Sequence, residues 1–142
     1  MNYARIDLSK TNYQPMKNWK YLYQFDIQEL NRIYRAYCDY KKFNSVMPIF
    51  DLQYTDDHTD VIGYYVANKL IAFSLVKTYD QDNAEALQFA WDYNDPGLRL
   101  GIESLKNECA IYKARGFNYL YLGLADAYKK ELDGFEILRE LK

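Results

Sequence analysis

Residues Leu87 to Leu124, LQFAWDYNDPGLRLGIESLKNECAIYKARGFNYLYLGL, constrain the fold of this chain more than any other part of it. An apolar, aromatic run leads into a turn with Gly97 and Gly101, then a helix-like stretch, a lone Gly116 and a second apolar run. Strand, helix, strand in this order makes a βαβ unit, because parallel neighbours need a crossover. The helix is predicted from Gly101 to Arg115, with Ile102, Leu105, Cys109 and Tyr112 on one face and Ser104, Glu108 and Lys113 elsewhere. Gly116 stops it as a left-handed terminal residue would. The start of such a helix offers unpaired N–H groups and the positive end of the helix dipole, where a phosphate settles. Leu98, Arg99, Leu100, Gly101 and Ile102 are therefore candidate anion-binding residues, and Arg99 adds charge.

The rest of the chain supplies the sheet around this unit. Tyr3 to Leu8 reads as a first strand and Asn12 to Trp19 as a loop. Asp26 is a good N-cap, and Glu29 completes a pair like a capping box. The helix they open places Ile27, Leu30, Ile33, Tyr34, Tyr37 and Cys38 on one face and is predicted to end near Asn44. Asp51 to Asp60 is an acidic loop with the sole histidine, His58. Its oxygen and imidazole groups lack calcium-loop spacing, and an exposed loop that receives a cationic amine fits them better than a metal site. VIGYYVANKLIAFSLVKTYD reads as a hairpin turning at Ala67, Asn68 and Lys69, with a third strand from Ala84 to Tyr93. After the βαβ unit, Ala125 to Leu132 reads as a short helix and Phe135 to Leu138 as a last strand. The predicted order is β, α, β, β, β, α, β, α, β. It forms one α+β domain over 1–142, with a mixed, mainly antiparallel sheet, one parallel crossover and helices on both faces.

Length suits a single core: 142 residues, 49% apolar and 27% charged. A net charge of −2 without a basic run argues against duplex nucleic acid as the ligand. No apolar leader opens the sequence and no run reaches about 18 apolar residues, so a cytoplasmic protein with no membrane span is expected. Cys38 and Cys109 lack metal or redox spacing and read as packing residues. Tyrosine is abundant, at 16 residues. Tyr64, Tyr65, Trp91, Tyr93, Tyr119 and Tyr121 alternate on strands, as core on both faces or as an aromatic wall for an acyl chain or a base.

This order, with a phosphate-type turn before the crossover helix, resembles the GNAT superfamily of acyltransferases. The segment FAWDYNDPGLRLGIESLKNECAIYKARGFNYLYLG is similar to the C-terminal part of arginyl-tRNA–protein transferases. The matching elements are Trp91, Tyr93, Asp95, Pro96, Leu100, Gly101 and Tyr119 to Gly123. The resemblance implies transfer of an acetyl or aminoacyl group to an amine on a small molecule or a protein. The donor would be acetyl-CoA or another acyl-CoA, or an aminoacyl-tRNA. In ADAYKKELDGFEIL, Tyr128 sits where such enzymes carry a tyrosine general acid. Glu85 and Asp92, at the two ends of one strand, are the carboxylates that can deprotonate the amine. Trp91, Tyr93 and Tyr121 are the candidate substrate contacts.

The turn departs from the family's Arg/Gln-x-x-Gly-x-Gly/Ala loop. Counting back from Gly101 puts Pro96 and Arg99 at the first and fourth places. Two other readings therefore stand beside transfer: an inactive GNAT-fold binding or assembly module, and a tRNA- or peptide-binding protein with a tyrosine-lined groove.

Overall fold

A computed structural model of the protein describes residues 3–41, 56–92, 98–124 and 127–138, without the side chains of 124, 127 and 128. Among the described residues, seven strands make one sheet: β1 (Tyr3–Asp7), β2 (Trp19–Tyr21), β3 (Thr59–Val66), β4 (Lys69–Thr78), β5 (Asn83–Trp91), β6 (Tyr119–Leu124) and β7 (Phe135–Leu138). Their order across the sheet is β2-β3-β4-β5-β6-β1-β7. Among the described strands only β5 and β6 run parallel, and helix α2 (Leu100–Ala114) connects them. This is the mixed α+β sheet that the βαβ signal implied.

Local chemistry accounts for most boundaries. Asp26 Oδ1 accepts from the Gln28 N–H at 2.9 Å and opens α1 (Ile27–Lys41). Glu29 does not close a capping box; its carboxylate takes the Arg32 guanidinium, with Nη2 at 2.7 Å. The predicted end of α1 near Asn44 lies outside the described residues. Ala67 and Asn68 both have positive φ, as a two-residue hairpin turn with the twist of its strands requires. Gly116, at φ 95°, follows α2. The predicted helix after β6 is a 3-10 turn, Ala127–Glu131. Trp19, expected at the end of a loop, and Lys20 and Tyr21, given no element from the sequence, form the edge strand β2 on β3.

Alternation along the strands builds two cores. Ile62, Tyr64, Ala72 and Val76 face α2, joined by Ala4, Ile6 and Leu120. Val61, Phe73, Leu75 and Ala90 face α1, against Leu30, Ile33, Tyr34 and Cys38. The helices thus cover opposite faces. Both cysteines are free and buried. Among the described residues, no helix is long and apolar enough to cross a membrane.

The N-terminal strand takes a position the sequence did not announce. β1 lies between β6 and β7, antiparallel to both. Gly134 makes this possible: it has φ 75°, and a Cβ there would collide with the Asp7 carbonyl oxygen. Gly134→Ala should therefore cost about 2–3 kcal/mol in urea unfolding. Gly101→Ala, where a Cβ meets nothing within 4 Å, should leave stability unchanged or raise it by up to about 1 kcal/mol.

Candidate functional site

The parallel pair β5 and β6 is hydrogen-bonded only over Asn83 to Glu85 and Tyr119 to Tyr121. Beyond that the strands part. Opposite β4, the register jumps from Leu75↔Gln88 to Val76↔Ala86, so Leu87 is an extra residue in β5. A bulge of this kind turns a strand and ends regular pairing. Side chains answer the backbone groups left without a strand partner. Gln88 Nε2 donates to the Phe89 carbonyl at 2.8 Å, and Lys129 Nζ to the Leu122 carbonyl at 3.0 Å.

Two cavities follow from this wedge. The inner one, about 190 Å³, lies among Ala86 to Phe89 of β5, Leu122 of β6, Leu105 and Glu108 of α2, Tyr37 and Lys129. The outer one, about 400 Å³, is walled by Tyr40, Lys41, Trp91, Arg99, Leu100 and Ile102. Tyr37, Phe89 and Gly101 line both, so the two form one cleft. Trp91 is packed edge-on by Tyr37 and Tyr40, with ring centroids 5.0 and 4.9 Å away.

The start of α2 borders the cleft. Arg99 precedes the helix in the left-handed region, at φ 48°, and gives no side-chain cap to its N–H groups. A non-glycine residue held there carries backbone strain of the sort found at ligand sites. Its guanidinium meets Glu131 at 3.3 Å, an exposed pair that a phosphate can displace. Gly101 needs its missing side chain neither for φ nor for packing, since space lies open beside it. Open space next to uncapped N–H groups suits an approaching anion.

Glu108, expected away from the apolar face of the helix, is instead 1% exposed, and Ser104 is buried as well. One carboxylate oxygen, Oε2, accepts from the Tyr64 hydroxyl at 2.6 Å and the Ser74 hydroxyl at 3.0 Å. Asn107 Nδ2 supports the Tyr64 hydroxyl at 3.3 Å. Burial pushes Glu108 up from the ordinary 4.5 to about 7, against the pull of its two hydroxyl donors. The signal for this group was present in the sequence. Ser104, Asn107 and Glu108 recur at i, i+3 and i+4, which makes a polar stripe on a helix with two covered sides.

The residues singled out from the sequence are dispersed. Arg99 to Ile102 and Trp91 line the cleft, whereas Leu98 lines a separate pocket with Met16 and Tyr65. Asp92 is held by Arg32 at 2.8 Å. Glu85 accepts from the Tyr79 hydroxyl where the β5–β6 pairing ends. Tyr121 accepts from Arg5 Nη1 at 3.4 Å, and the Arg5 guanidinium stacks on Tyr119 at 3.9 Å. Neither cavity is lined by Tyr121. Tyr93, Gly97 and the side chain of Tyr128 lie outside the described residues. From the acidic loop, Asp60 binds Tyr112 and Arg115 at 2.6 and 2.7 Å. Among the described residues, no three His, Cys, Asp or Glu side chains converge as metal ligands.

No protein-family model matches the sequence, and neither does any curated protein. Solved structures do match the fold. The C-terminal domain of a protein assigned as a lysylphosphatidylglycerol synthetase from Agrobacterium fabrum gives a TM-score of 0.62 at 14% identity, over 87% of this chain and 46% of that one. A protein assigned as a GNAT-family acetyltransferase from Novosphingobium aromaticivorans gives 0.63 at 16%, over 97% and 60%. Saccharomyces cerevisiae N-myristoyltransferase with bound myristoyl-CoA gives 0.60 at 10%, over 96% and 47%. The fold is GNAT-like, and the chain spans about half the length of these structures.

Glu108 gives the site a pH signature. Between pH 4.5 and about 7 the folded protein holds a proton that the unfolded chain releases. Its contribution to stability is full below pH 4.5 and is lost as pH rises to about 7. The shift is worth about 3 kcal/mol. Urea midpoints across this window should fall less steeply with pH in Glu108→Gln than in the wild type, and parallel profiles would refute the assignment.

Proposed function

We propose that the protein is an N-acyltransferase of the GNAT type, moving an acyl group from an acyl-CoA to an amine acceptor. One observation carries this reading: the wedge between β5 and β6 opens beside an uncapped helix N-terminus whose Gly101 leaves room for a ligand. The donor's phosphates would lie at the N–H groups of Leu100 to Ile102, near Arg99. Its acyl arm would run past Trp91 into the wedge. The backbone of β5 beyond Glu85, free of β6, would hold the acyl carbonyl and polarise it.

In this reading Tyr128 protonates the leaving group, as the family resemblance implies, and Tyr93 stays a candidate substrate contact. Glu85 and Asp92 stay candidates near the strand ends, each already engaged by a neighbour. The bound myristoyl-CoA of the yeast neighbour supports an acyl-CoA donor. The likeness to arginyl-tRNA–protein transferases keeps aminoacyl-tRNA as the alternative donor.

Thermal unfolding with acetyl-CoA, a long-chain acyl-CoA, free CoA and a nucleotide control tests this directly. A ligand at 100 times its dissociation constant adds about 2.7 kcal/mol. CoA species should raise the melting temperature and the control should not. Gly101→Ala should stay folded yet lose most of the shift, because its methyl occupies the donor's path. If only aminoacyl-tRNA binds, the donor is reassigned. If neither donor binds, the transfer reading is wrong and the binding-module reading replaces it.

A further inference from the structure

The inner chamber contains a carboxylate that its own hydrogen bonds do not fully use. Among the described residues that line it, Glu108 is the only acid. Tyr64 and Ser74 both donate to Oε2, and among the described residues nothing donates to Oε1. A buried carboxylate is costly, and a purely structural one gains most when both oxygens are satisfied. The titratable groups around it leave it as the local anion. Tyr64 from β3 is pushed far above the usual tyrosine range by burial, and Cys109 on the same helix is pushed up to about 12 by burial. Tyr112, also on α2, is raised by burial. Tyr37 from α1 and Lys129 from the 3-10 turn line the chamber, and Lys129 Nζ is bonded to the Leu122 carbonyl. Ser74 and Gln88 do not titrate.

A group that donates N–H bonds and carries positive charge complements such an oxygen. Size permits one: an apolar cavity of roughly 150 Å³ admits benzene, and this chamber is about 190 Å³. We propose that the inner chamber is a site for a primary alkylammonium group, which donates a hydrogen bond to Glu108 Oε1 and passes its proton to it. This rests on the acyl-transfer reading for its catalytic consequence, but the binding site stands apart from it. In that reaction an ammonium N–H bond breaks, its proton goes to Oε1 and the electron pair stays on nitrogen. Nitrogen then bonds to the acyl carbon as the bond to the donor's sulfur or oxygen breaks. The leaving atom keeps that electron pair and takes up one proton, balanced by the second proton that leaves nitrogen, and Glu108 later releases its own proton to water. Glu108 is thereby a catalytic base that touches the acceptor, with a pKa suited to neutral pH.

The probe is n-butylammonium, titrated into the full chain while carbon-13 NMR follows the labelled Glu108 carboxyl. Tetramethylammonium, which has no N–H to donate, is the control. Expected is saturable movement of the Glu108 signal with butylammonium alone, and at least tenfold weaker binding by Glu108→Gln in a thermal-shift titration. Wild-type affinity should fall about tenfold per pH unit below about 7, as Oε1 becomes protonated. That arm decides the matter even if the variant fails to fold. No binding at pH 8, equal binding by Glu108→Gln, or affinity independent of pH overturns the proposal. Acetyl-CoA, added in the same experiments, separates the two ideas. If it binds and butylammonium does not, donor binding survives and the ammonium site falls. The reverse result keeps the ammonium site and removes acyl transfer from CoA.

Discussion

The pairing of β5 and β6 ends after three residue pairs, and the character of this molecule follows from that interruption. A parallel ladder that continued to Trp91 would close the cleft and leave no route from the helix start to the sheet interior. The bulge at Leu87 ends the ladder, and Gln88 and Lys129 then cap strand carbonyls with side-chain donors. The gap persists because its exposed backbone groups are answered locally. Without those donors, the loss of paired backbone groups would favour reclosure of the strands.

Glu108 belongs to the same compromise. Tyr64 from β3, Ser74 from β4 and Asn107 from α2 converge on it or its partner, so the network ties the helix to the strands under the open end of the wedge. Replacing it with apolar side chains would pack the core more cheaply, since buried polar groups are retained at a cost in stability. The helix start, meanwhile, gives up a side-chain cap and holds Arg99 in a strained conformation. Two stability losses on one helix, two turns apart, both fall on the cleft. Local rules of folding are most often broken at functional sites, and here both breaks face the same space.

Much of this was legible in the sequence because it depends on local chemistry. The crossover unit, the Asn68 hairpin, the Asp26 cap and the Gly116 stop each follow from residues a few positions apart. β2 was not legible: three residues after a proline-containing loop become a strand only because β3 offers an edge. Glu108 was missed because helical periodicity assumes one solvent face. α2 lies on the sheet and is also crossed by the segment after β1, where Asn107 takes the Met16 N–H and Lys113 the Thr11 carbonyl. A helix covered on two sides has no default place for a charge. The insertion of β1 between β6 and β7 was invisible for a different reason, since no short-range pattern encodes a partner more than a hundred residues away.

That insertion also orders events in time. β1 contacts residues 119–124 and 135–138, so its ladder rewards the chain only after a very long loop has closed. During synthesis the hairpin of β3 and β4 can form, and β5 can join it, while β1 still lacks both neighbours. Half of the sheet is thus able to assemble before β1 has a place to dock. The five residues of β1 spend that interval exposed, and its charged Arg5 and Asp7 discourage pairing with strands of other chains.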